Sequence, residues 1–120
     1  MAKSMFNNAL EFIKDSKIAI ENERFKMSIN RSYYAVFYGA KALLIKKGIN
    51  PKTHRGTIQQ FGLEYVINDS FDNEISKILS NLEDDREDAD YEFQSIFTYE
   101  NAMDNLNKAE IFLDECSRFL

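Results

Sequence analysis

The chain of 120 residues contains only one proline and four glycines. Both residue types interrupt regular secondary structure, so their scarcity favours long helices over a protein of short strands and turns. The single cysteine, Cys116, cannot form an internal disulfide, and no set of Cys and His residues has the spacing of a zinc site. We therefore expect no disulfide, no metal site and no cofactor.

Long apolar runs are also missing. No stretch of about 18 consecutive apolar residues is present, which argues against a transmembrane span. The nearest candidate, Ile29 to Ile45, is interrupted by Arg31 and Lys41. The first apolar residues of the chain are spaced rather than contiguous, which is not the pattern of a secretory signal. The cytoplasm is therefore the expected compartment.

Acidic residues are absent from the middle of the chain, although the net charge is −5. The segment Arg24 to Leu63 holds eight Lys or Arg and no Asp or Glu, whereas Glu64 to Leu120 holds sixteen acidic residues and four basic ones. The simpler interpretation is a basic element that packs beside acidic neighbours, and the alternative is a surface that faces phosphate. The overall acidity disfavours non-specific binding to duplexes but is compatible with a local nucleotide or RNA site.

Apolar residues recur at helical spacing along the chain and predict five helices. The hydrophobic fraction of 44% is enough for the core of one domain, residues 1–120. Gly48 is a suitable C-terminal cap for the second helix, and Thr53 a suitable N-cap for the third. The expected helices are 4–21, 26–47 and 53–67, one that starts at 70–72, and one that starts after residue 98. Short connections between them predict an all-α, antiparallel up-and-down bundle.

Apolar side chains nearly encircle the second helix, which predicts a central position in the bundle. We expect the first and last helices to flank it antiparallel, with Gly39 allowing a close approach of a neighbouring backbone. Another stripe of this helix carries Arg31, Tyr34 and Tyr38, whose polar groups need partners if they are covered. An apolar surface that one small bundle does not cover favours a homodimer, with Tyr34 and Tyr38 as interface candidates.

Arg86 continues the inward stripe that Leu79 and Leu82 form on the fourth helix. A guanidinium that faces the core needs a partner or a ligand. Asp90, four residues later, is the local partner, so an internal ion pair and a binding site are equally good interpretations. We interpret the acidic residues at positions 83–85, 87 and 88 as a solvated face rather than a metal site.

His54, the one histidine of the chain, lies close to the N-terminus of the third helix, beside Lys52 and Arg55. The outward N–H groups of a helix N-terminus favour a phosphate at such a position. A histidine that caps the turn or packs against a neighbour fits the same position.

Three segments together carry a resemblance: INRSYYAVFYGAKALL at 29–44, KTHRG at 52–56 and DREDADY at 85–91. Their order and separations are similar to those of the HEPN domain, the higher eukaryotes and prokaryotes nucleotide-binding domain, and most of all to its small single-domain prokaryotic proteins. The resemblance covers essentially the whole chain. It implies an all-α up-and-down bundle, a homodimer, and pairing with a minimal nucleotidyltransferase in a toxin–antitoxin or accessory pair.

Several branches of that family are metal-independent ribonucleases, and this chain departs from their pattern. Those branches carry an Arg followed by four to six residues and then a His. Here the corresponding spacings lead from Arg86 to Tyr91 and from Arg31 to Tyr38. A tyrosine hydroxyl, with an ordinary pKa of about 10, is a poor general base at neutral pH. Ribonuclease activity therefore stays open only if His54 lies in the same cleft.

The expected packing assigns the candidate residues to two groups. If the second and fourth helices run parallel, Arg31 and Arg86 lie at opposite ends of a subunit, and His54 lies near Arg86. One candidate nucleotide- or RNA-binding cleft then consists of Lys52, His54, Arg86, Asp90 and Tyr91. The second cluster consists of Arg31 and Tyr34.

Three functions fit these residues. In the first, a homodimer binds a nucleotide or an RNA end and works with a nucleotidyltransferase partner; Arg86 and Lys52 contact phosphate, and Asp90 orients Arg86. Tyr91 then donates its hydroxyl or stacks on a base. In the second, His54, Arg86 and Tyr91 form the catalytic set of a ribonuclease. In the third, the chain is a structural helical dimer without a ligand.

Overall fold

A computed structural model describes residues 1–91 and 96–120. It is an all-α bundle, and the described residues contain five α-helices and no strand. The helices are α1 (Ala2–Glu21), α2 (Phe25–Lys46), α3 (His54–Phe61), α4 (Asn73–Tyr91) and α5 (Tyr99–Ser117). A π-helical segment, Gly62–Ile67, continues α3, so the predicted third helix is one element with a wider final part.

Local capping explains where the helices begin and end. The Thr53 side chain accepts a hydrogen bond from the Gly56 N–H at 2.9 Å, as expected for an N-cap. Thr98 and Asn101 form a reciprocal capping box at the start of α5. Gly48 follows α2 with φ of +80°, a left-handed conformation that glycine adopts without strain. These contacts confirm the predicted end of the second helix and the predicted starts of the third and fifth, whereas α1 begins at Ala2 instead of Ser4 and α4 at Asn73 instead of 70–72.

α1 and α2 pack antiparallel, as predicted. Ser16 Oγ of α1 lies 2.7 Å from Ser28 Oγ and 2.9 Å from Ser32 Oγ, and all three serines are buried. Towards the other end, Phe12 stacks on Tyr38 with ring centroids 5.4 Å apart. Earlier positions of α1 thus face later positions of α2.

α5 runs parallel to α2, so the expectation that the last helix flanks it antiparallel is wrong. A Cβ atom added at Gly39 would lie 2.5 Å from Leu113 Cδ2, so α5 packs closely at this glycine, although the nearest atoms belong to side chains rather than to the predicted backbone. Further along both helices, Lys46 Nζ donates a hydrogen bond to the Phe119 carbonyl at 2.6 Å. Residue numbers increase together on the two helices.

The parallel direction of α5 and α2 follows from the path of residues 47–53, which connect α2 to α3. This connection returns from the end of α2 towards the middle of that helix, where His54 lies against Tyr33 and Phe37. α3 therefore runs in the same direction as α2, and the Tyr65 hydroxyl, beyond α3, donates to the Leu43 carbonyl. α4 then returns antiparallel to α2, and α5 returns parallel to it. The expected parallel packing of α2 and α4 is therefore wrong.

α2 is the central helix, as predicted from its apolar circumference. Twelve of its residues are buried, and α1, α3, α4 and α5 all pack on it. None of the described helices has both the length and the apolar character needed to cross a membrane.

Candidate functional site

Polar side chains from α2, α3 and α4 meet on one side of the central helix. Arg86 lies at the centre, and the contacts below define the group, which we call the Arg86 cluster. Its members are Asn30, Tyr33, His54, Glu83, Arg86 and Asp90.

Arg86 is 8% exposed and has two acidic partners on its own helix. Its Nη2 donates to Glu83 Oε1 at 2.7 Å, and its Nη1 lies 3.5 Å from Asp90 Oδ2. The guanidinium carbon lies 5.1 Å from the centroid of the Tyr33 ring, within the range of a cation–π contact. Burial is the largest single influence and lowers the pKa of Arg86, but the surrounding groups, Glu83 first among them, together outweigh it, so the pKa is raised. Its Nε is buried and has no hydrogen-bond partner among the described residues.

His54 is the first residue of α3 and is partly exposed. Its Nδ1 lies 2.9 Å from the Tyr33 hydroxyl and 3.8 Å from Glu83 Oε2. The imidazole stacks on Phe37 with centroids 4.4 Å apart, and Tyr34 packs edge-on against it at 5.9 Å. These aromatic contacts hold the plane of the ring, while 40% of the side chain remains exposed.

Glu83 and Tyr33 differ in protonation. Burial is the largest single influence and raises the pKa of Glu83, but the surrounding groups, the Tyr33 hydroxyl and Arg86 first among them, together outweigh it. The net pKa is therefore lowered, and the carboxyl is ionised at neutral pH. Burial, followed by the nearby Glu83 carboxylate, raises the pKa of Tyr33 and keeps its hydroxyl protonated. Glu83 Oε2 is buried and has no hydrogen-bond partner in the described part of the chain.

Asn30 joins the two groups of candidate residues that the sequence suggests. Its Nδ2 lies 3.3 Å from Asp90 Oδ2, and its Oδ1 accepts from Arg31 Nη1 at 2.7 Å. With Tyr34 against His54, Arg31 and Tyr34 therefore adjoin the Arg86 cluster. The prediction of a separate second cluster at the opposite end is wrong, because α2 and α4 are antiparallel.

Lys52 and Tyr91 lie outside the buried part of the cluster. The Tyr91 side chain is 71% exposed although it directly follows Asp90. Lys52 is exposed two residues before His54. The structure thus brings His54, Arg86 and Asp90 together and leaves these two candidates on the surface.

Three members of the cluster were missed by sequence reasoning. Tyr33 fits the aromatic core stripe, and its ring is indeed fully buried, but its hydroxyl belongs to the site. Asn30 lies next to Arg31, and nothing in its position in the sequence indicates that it belongs to a site. The interpretation of position 83 as part of a solvated face is wrong, because the Glu83 side chain is only 15% exposed. Its spacing, four residues after Leu79 and three before Arg86, could have indicated an inward position.

A separate cavity of about 340 Å³ lies on another side of α4, lined by acidic residues of α4 and α5 and by apolar side chains. Burial raises the pKa of Asp85 in its wall. The described residues that line it include three aspartates and no Lys or Arg, so, unlike the Arg86 cluster, this cavity offers no cation to a phosphate.

The Arg86 cluster has the chemistry to bind and act on a phosphate group. A guanidinium recognises phosphate oxygens with several N–H donors, and an imidazole donates or accepts a proton near neutral pH. Glu83 and Asp90 hold the guanidinium in place, and the exposed edge of His54 gives access from solvent.

Comparisons with known proteins agree with this description. A family model of the HEPN domain matches residues 2–119. A UPF0332 protein of Thermotoga maritima is 35% identical over 112 residues, covering 93% of this chain and 85% of the relative. Two proteins of Methanocaldococcus jannaschii, each named "Putative toxin", are 36% and 30% identical; the alignments cover 98% of this chain and 87% and 80% of those proteins. The resemblance seen in the three sequence segments is confirmed, and the chain belongs to the HEPN domain family.

Proposed function

We propose that this chain is a toxin-like HEPN protein that binds RNA or a nucleotide at the Arg86 cluster. Family membership supports a role related to nucleotides or RNA, and the names of two relatives contain the word toxin. In this proposal, the chain forms a homodimer in the cytoplasm and works with a nucleotidyltransferase partner.

The juxtaposition of Arg86 and His54 is the observation that carries this proposal. Arg86 is buried with an unused Nε, and His54 is partly exposed beside it. A buried donor without a partner costs free energy, and such groups are concentrated where a ligand completes the hydrogen bonds. In the proposed complex, Arg86 and His54 bind phosphate, and Asp90 orients Arg86.

Candidate residues around the cluster complete the proposed RNA site. Lys52, exposed two residues before His54, and Arg31, which donates to Asn30, add positive charge near the cluster. Tyr34 and Tyr91 offer aromatic faces on which a base can stack.

Binding of a fluorescent single-stranded RNA tests the proposal. We expect Arg86→Ala to weaken binding by about 10- to 100-fold, the loss associated with charged hydrogen bonds. Arg86→Gln, which keeps a donor for Glu83, guards against loss of folding. Arg118→Ala removes an arginine from another Glu–Arg pair and serves as the control, with unchanged binding expected. If Arg86→Ala and Arg86→Gln lower the melting temperature and leave binding unchanged, Arg86 is structural and the proposal is wrong.

A metal-independent ribonuclease is the second candidate, and the position of His54 beside Arg86 supports it. His54 then accepts the proton of a ribose 2′-hydroxyl, and the 2′-oxygen bonds to the neighbouring phosphorus. The bond from phosphorus to the 5′-oxygen breaks, and that oxygen takes a proton from water, which leaves a 2′,3′-cyclic phosphate. Arg86 stabilises the charge on the phosphoryl oxygens. Cleavage in the presence of EDTA that is lost in both His54→Ala and Arg86→Ala supports this candidate, and intact RNA with the wild type excludes it.

The homodimer rests on the stripe of α2 that carries Tyr34 and Tyr38. Both side chains are half-buried, and α1 covers part of them through Phe12. A second copy could cover the remainder of this aromatic surface. Sedimentation equilibrium is expected to give twice the 14.0 kDa of one chain. A mass of 14.0 kDa at tens of micromolar would argue against the dimer.

The nucleotidyltransferase partner is tested separately. A nucleotidyltransferase gene beside the gene of this chain, and co-purification of the two products, support the pairing. A stable dimer without RNA binding, cleavage or a partner favours the third candidate, a structural helical dimer.

A further inference from the structure

One oxygen of the Arg86 cluster has an unmet hydrogen-bonding requirement. Glu83 Oε1 accepts from Arg86 Nη2, but Glu83 Oε2 is buried with no partner among the described residues. An ionised carboxylate can only accept hydrogen bonds, so Oε2 needs a donor. Its polar neighbours are the Tyr33 hydroxyl, His54 Nδ1, which is 3.8 Å away, and the Glu87 carboxyl one turn further along α4. Once ionised, the Glu87 carboxylate has no hydrogen to donate, so it cannot satisfy Oε2.

With Glu87 ionised, the donor to Oε2 must come from Tyr33 or from His54, and both require the same tautomer of neutral His54. If the Tyr33 hydroxyl donates to Oε2, its oxygen must accept at the 2.9 Å contact with His54, so Nδ1 carries a hydrogen. If Nδ1 itself donates to Oε2, it carries a hydrogen as well. In the other tautomer Tyr33 donates to Nδ1, and Oε2 remains without a donor, which is costly for a buried carboxylate.

We infer that Glu83 and Tyr33 are positioning residues that hold neutral His54 with its hydrogen on Nδ1 and its Nε2 lone pair directed away from the cluster. The stacking of the ring on Phe37 and the edge-on contact of Tyr34 fix the imidazole plane in which this arrangement is formed. The high pKa of Tyr33 keeps the hydroxyl available as a donor.

The consequence for function is that His54 presents a proton acceptor to a bound ligand. Within the described residues, Nδ1 is the ring nitrogen of His54 that has polar partners, which leaves Nε2 for a substrate hydroxyl. This part of the inference rests on the ribonuclease candidate above. The assignment of the tautomer rests only on the hydrogen bonds of the cluster.

A nitrogen NMR spectrum of the protein without an affinity tag tests the tautomer directly, because His54 is the only histidine. The measurement is made at about pH 8.5, after confirming that the nitrogen shifts no longer change as the pH rises. We expect Nδ1 to resonate as a protonated nitrogen and Nε2 as a nitrogen with a lone pair. The reverse assignment in the wild type would overturn the inference without any variant being needed.

Glu83→Gln tests whether Glu83 selects the tautomer. The glutamine oxygen is expected to stay on Arg86 Nη2, so the amide NH2 takes the position of Oε2 and becomes a donor towards Tyr33 and His54. The hydrogen of His54 should then move to Nε2. In the spectrum, Nε2 should resonate as the protonated nitrogen and Nδ1 as the nitrogen with a lone pair. Glu115→Gln, in the other Glu–Arg pair, is the matched control and should leave the spectrum unchanged. A folded Glu83→Gln protein with the wild-type spectrum would show that Glu83 does not position His54.

Activity separates this inference from the proposed function. If the wild type cleaves RNA in EDTA, Glu83→Gln should lower the rate by about 100-fold, because Nε2 then carries a hydrogen and cannot accept a proton. An unchanged rate in a variant with the inverted tautomer would overturn the catalytic role of Nε2. If the wild type does not cleave RNA but has the expected tautomer, the ribonuclease candidate fails and the positioning role stands.

Discussion

Glu83 and Arg86 on α4 have the same spacing as Glu115 on α5 and Arg118, the residue that caps the end of α5; we call the latter two the α5 pair. Both pairs form short contacts, with Arg86 Nη2 at 2.7 Å from Glu83 and Arg118 Nε at 2.6 Å from Glu115. Their surroundings differ, however, and this difference distinguishes a pair that completes the fold from a pair with unused hydrogen-bonding capacity.

The α5 pair has complete hydrogen bonding. Glu115 Oε2 accepts from the Asp72 N–H at 2.7 Å and from Arg118 Nη2 at 2.9 Å, which satisfies a backbone donor next to the start of α4. Arg118 also donates to the Ser70 carbonyl, and its side chain is 54% exposed. The hydrogen bond from Arg118 is the main reason that the pKa of Glu115 is lowered.

The α4 pair is more buried and less complete. The Arg86 side chain is 10% exposed and that of Glu83 is 15% exposed, yet Arg86 Nε and Glu83 Oε2 have no hydrogen-bond partners in the part of the chain that the structure describes. Native proteins satisfy nearly all buried polar atoms, and exceptions are concentrated at functional sites. The same short sequence pattern therefore has a structural role on α5 and, we propose, a binding role on α4.

The largest expected effect is a difference in stability between Glu83→Ala and Glu115→Ala. Loss of Glu83 leaves a buried guanidinium with a single, longer contact to Asp90, which should lower the free energy of unfolding by about 3–5 kcal/mol. Loss of Glu115 removes a cap-like hydrogen bond and leaves an exposed arginine, with an expected cost of about 1–2 kcal/mol. Urea unfolding measures both values. Equal losses would mean that burial does not distinguish the pairs.

Arg86→Lys and Arg118→Lys compare the two arginines in RNA binding while keeping the charge. Lysine lacks the planar fork that holds Glu83 and a phosphate together, so we expect Arg86→Lys to weaken binding by about 10-fold. Arg118→Lys should bind RNA as the wild type does. If Arg118→Lys weakens RNA binding more than Arg86→Lys does, the RNA site lies near α5 instead.

The fall in the free energy of unfolding at acid pH should depend on both glutamates. Each folded-state pKa is lowered, so each glutamate stabilises the fold above the unfolded pKa of about 4.3, and this contribution is lost as the pH falls through the folded value. Glu83→Gln and Glu115→Gln should each make the fall in unfolding free energy between about pH 6 and pH 3 shallower. A steeper fall at acid pH in either variant would contradict the direction of its pKa shift.

The smallest effect is expected for Asp90→Asn. Asp90 is 3.5 Å from Arg86, and its side chain is 31% exposed, so the ion pair should contribute no more than about 0.5–1 kcal/mol. Asparagine can still accept from Asn30 or Arg86 through its side-chain oxygen. A thermal melt measures the change, and a loss as large as that of Glu83→Ala would mean that Asp90, rather than Glu83, is the main partner of Arg86.

Much of the fold could be predicted because its signals are local. The cap at Thr53, the left-handed Gly48 and the spacing of apolar residues all act within a few residues of the helix they define. The inward position of Arg86 was also predicted, since it continues the stripe of Leu79 and Leu82. The same period could have revealed Glu83, but an acidic residue in an acidic run is normally solvated, and that rule outweighed the spacing.

The amino-acid sequence by itself determined that the chain is a bundle of long helices around a central α2 and that Arg86 faces inward. Only the tertiary structure decided that His54 meets Arg86, that Tyr33 joins them through its hydroxyl, and that Asn30 connects Arg31 to Asp90. The physical reason is the connection of residues 47–53. Its return along α2 sets the direction of α3, and therefore of α4 and α5, and its path depends on packing between distant residues rather than on local periodicity.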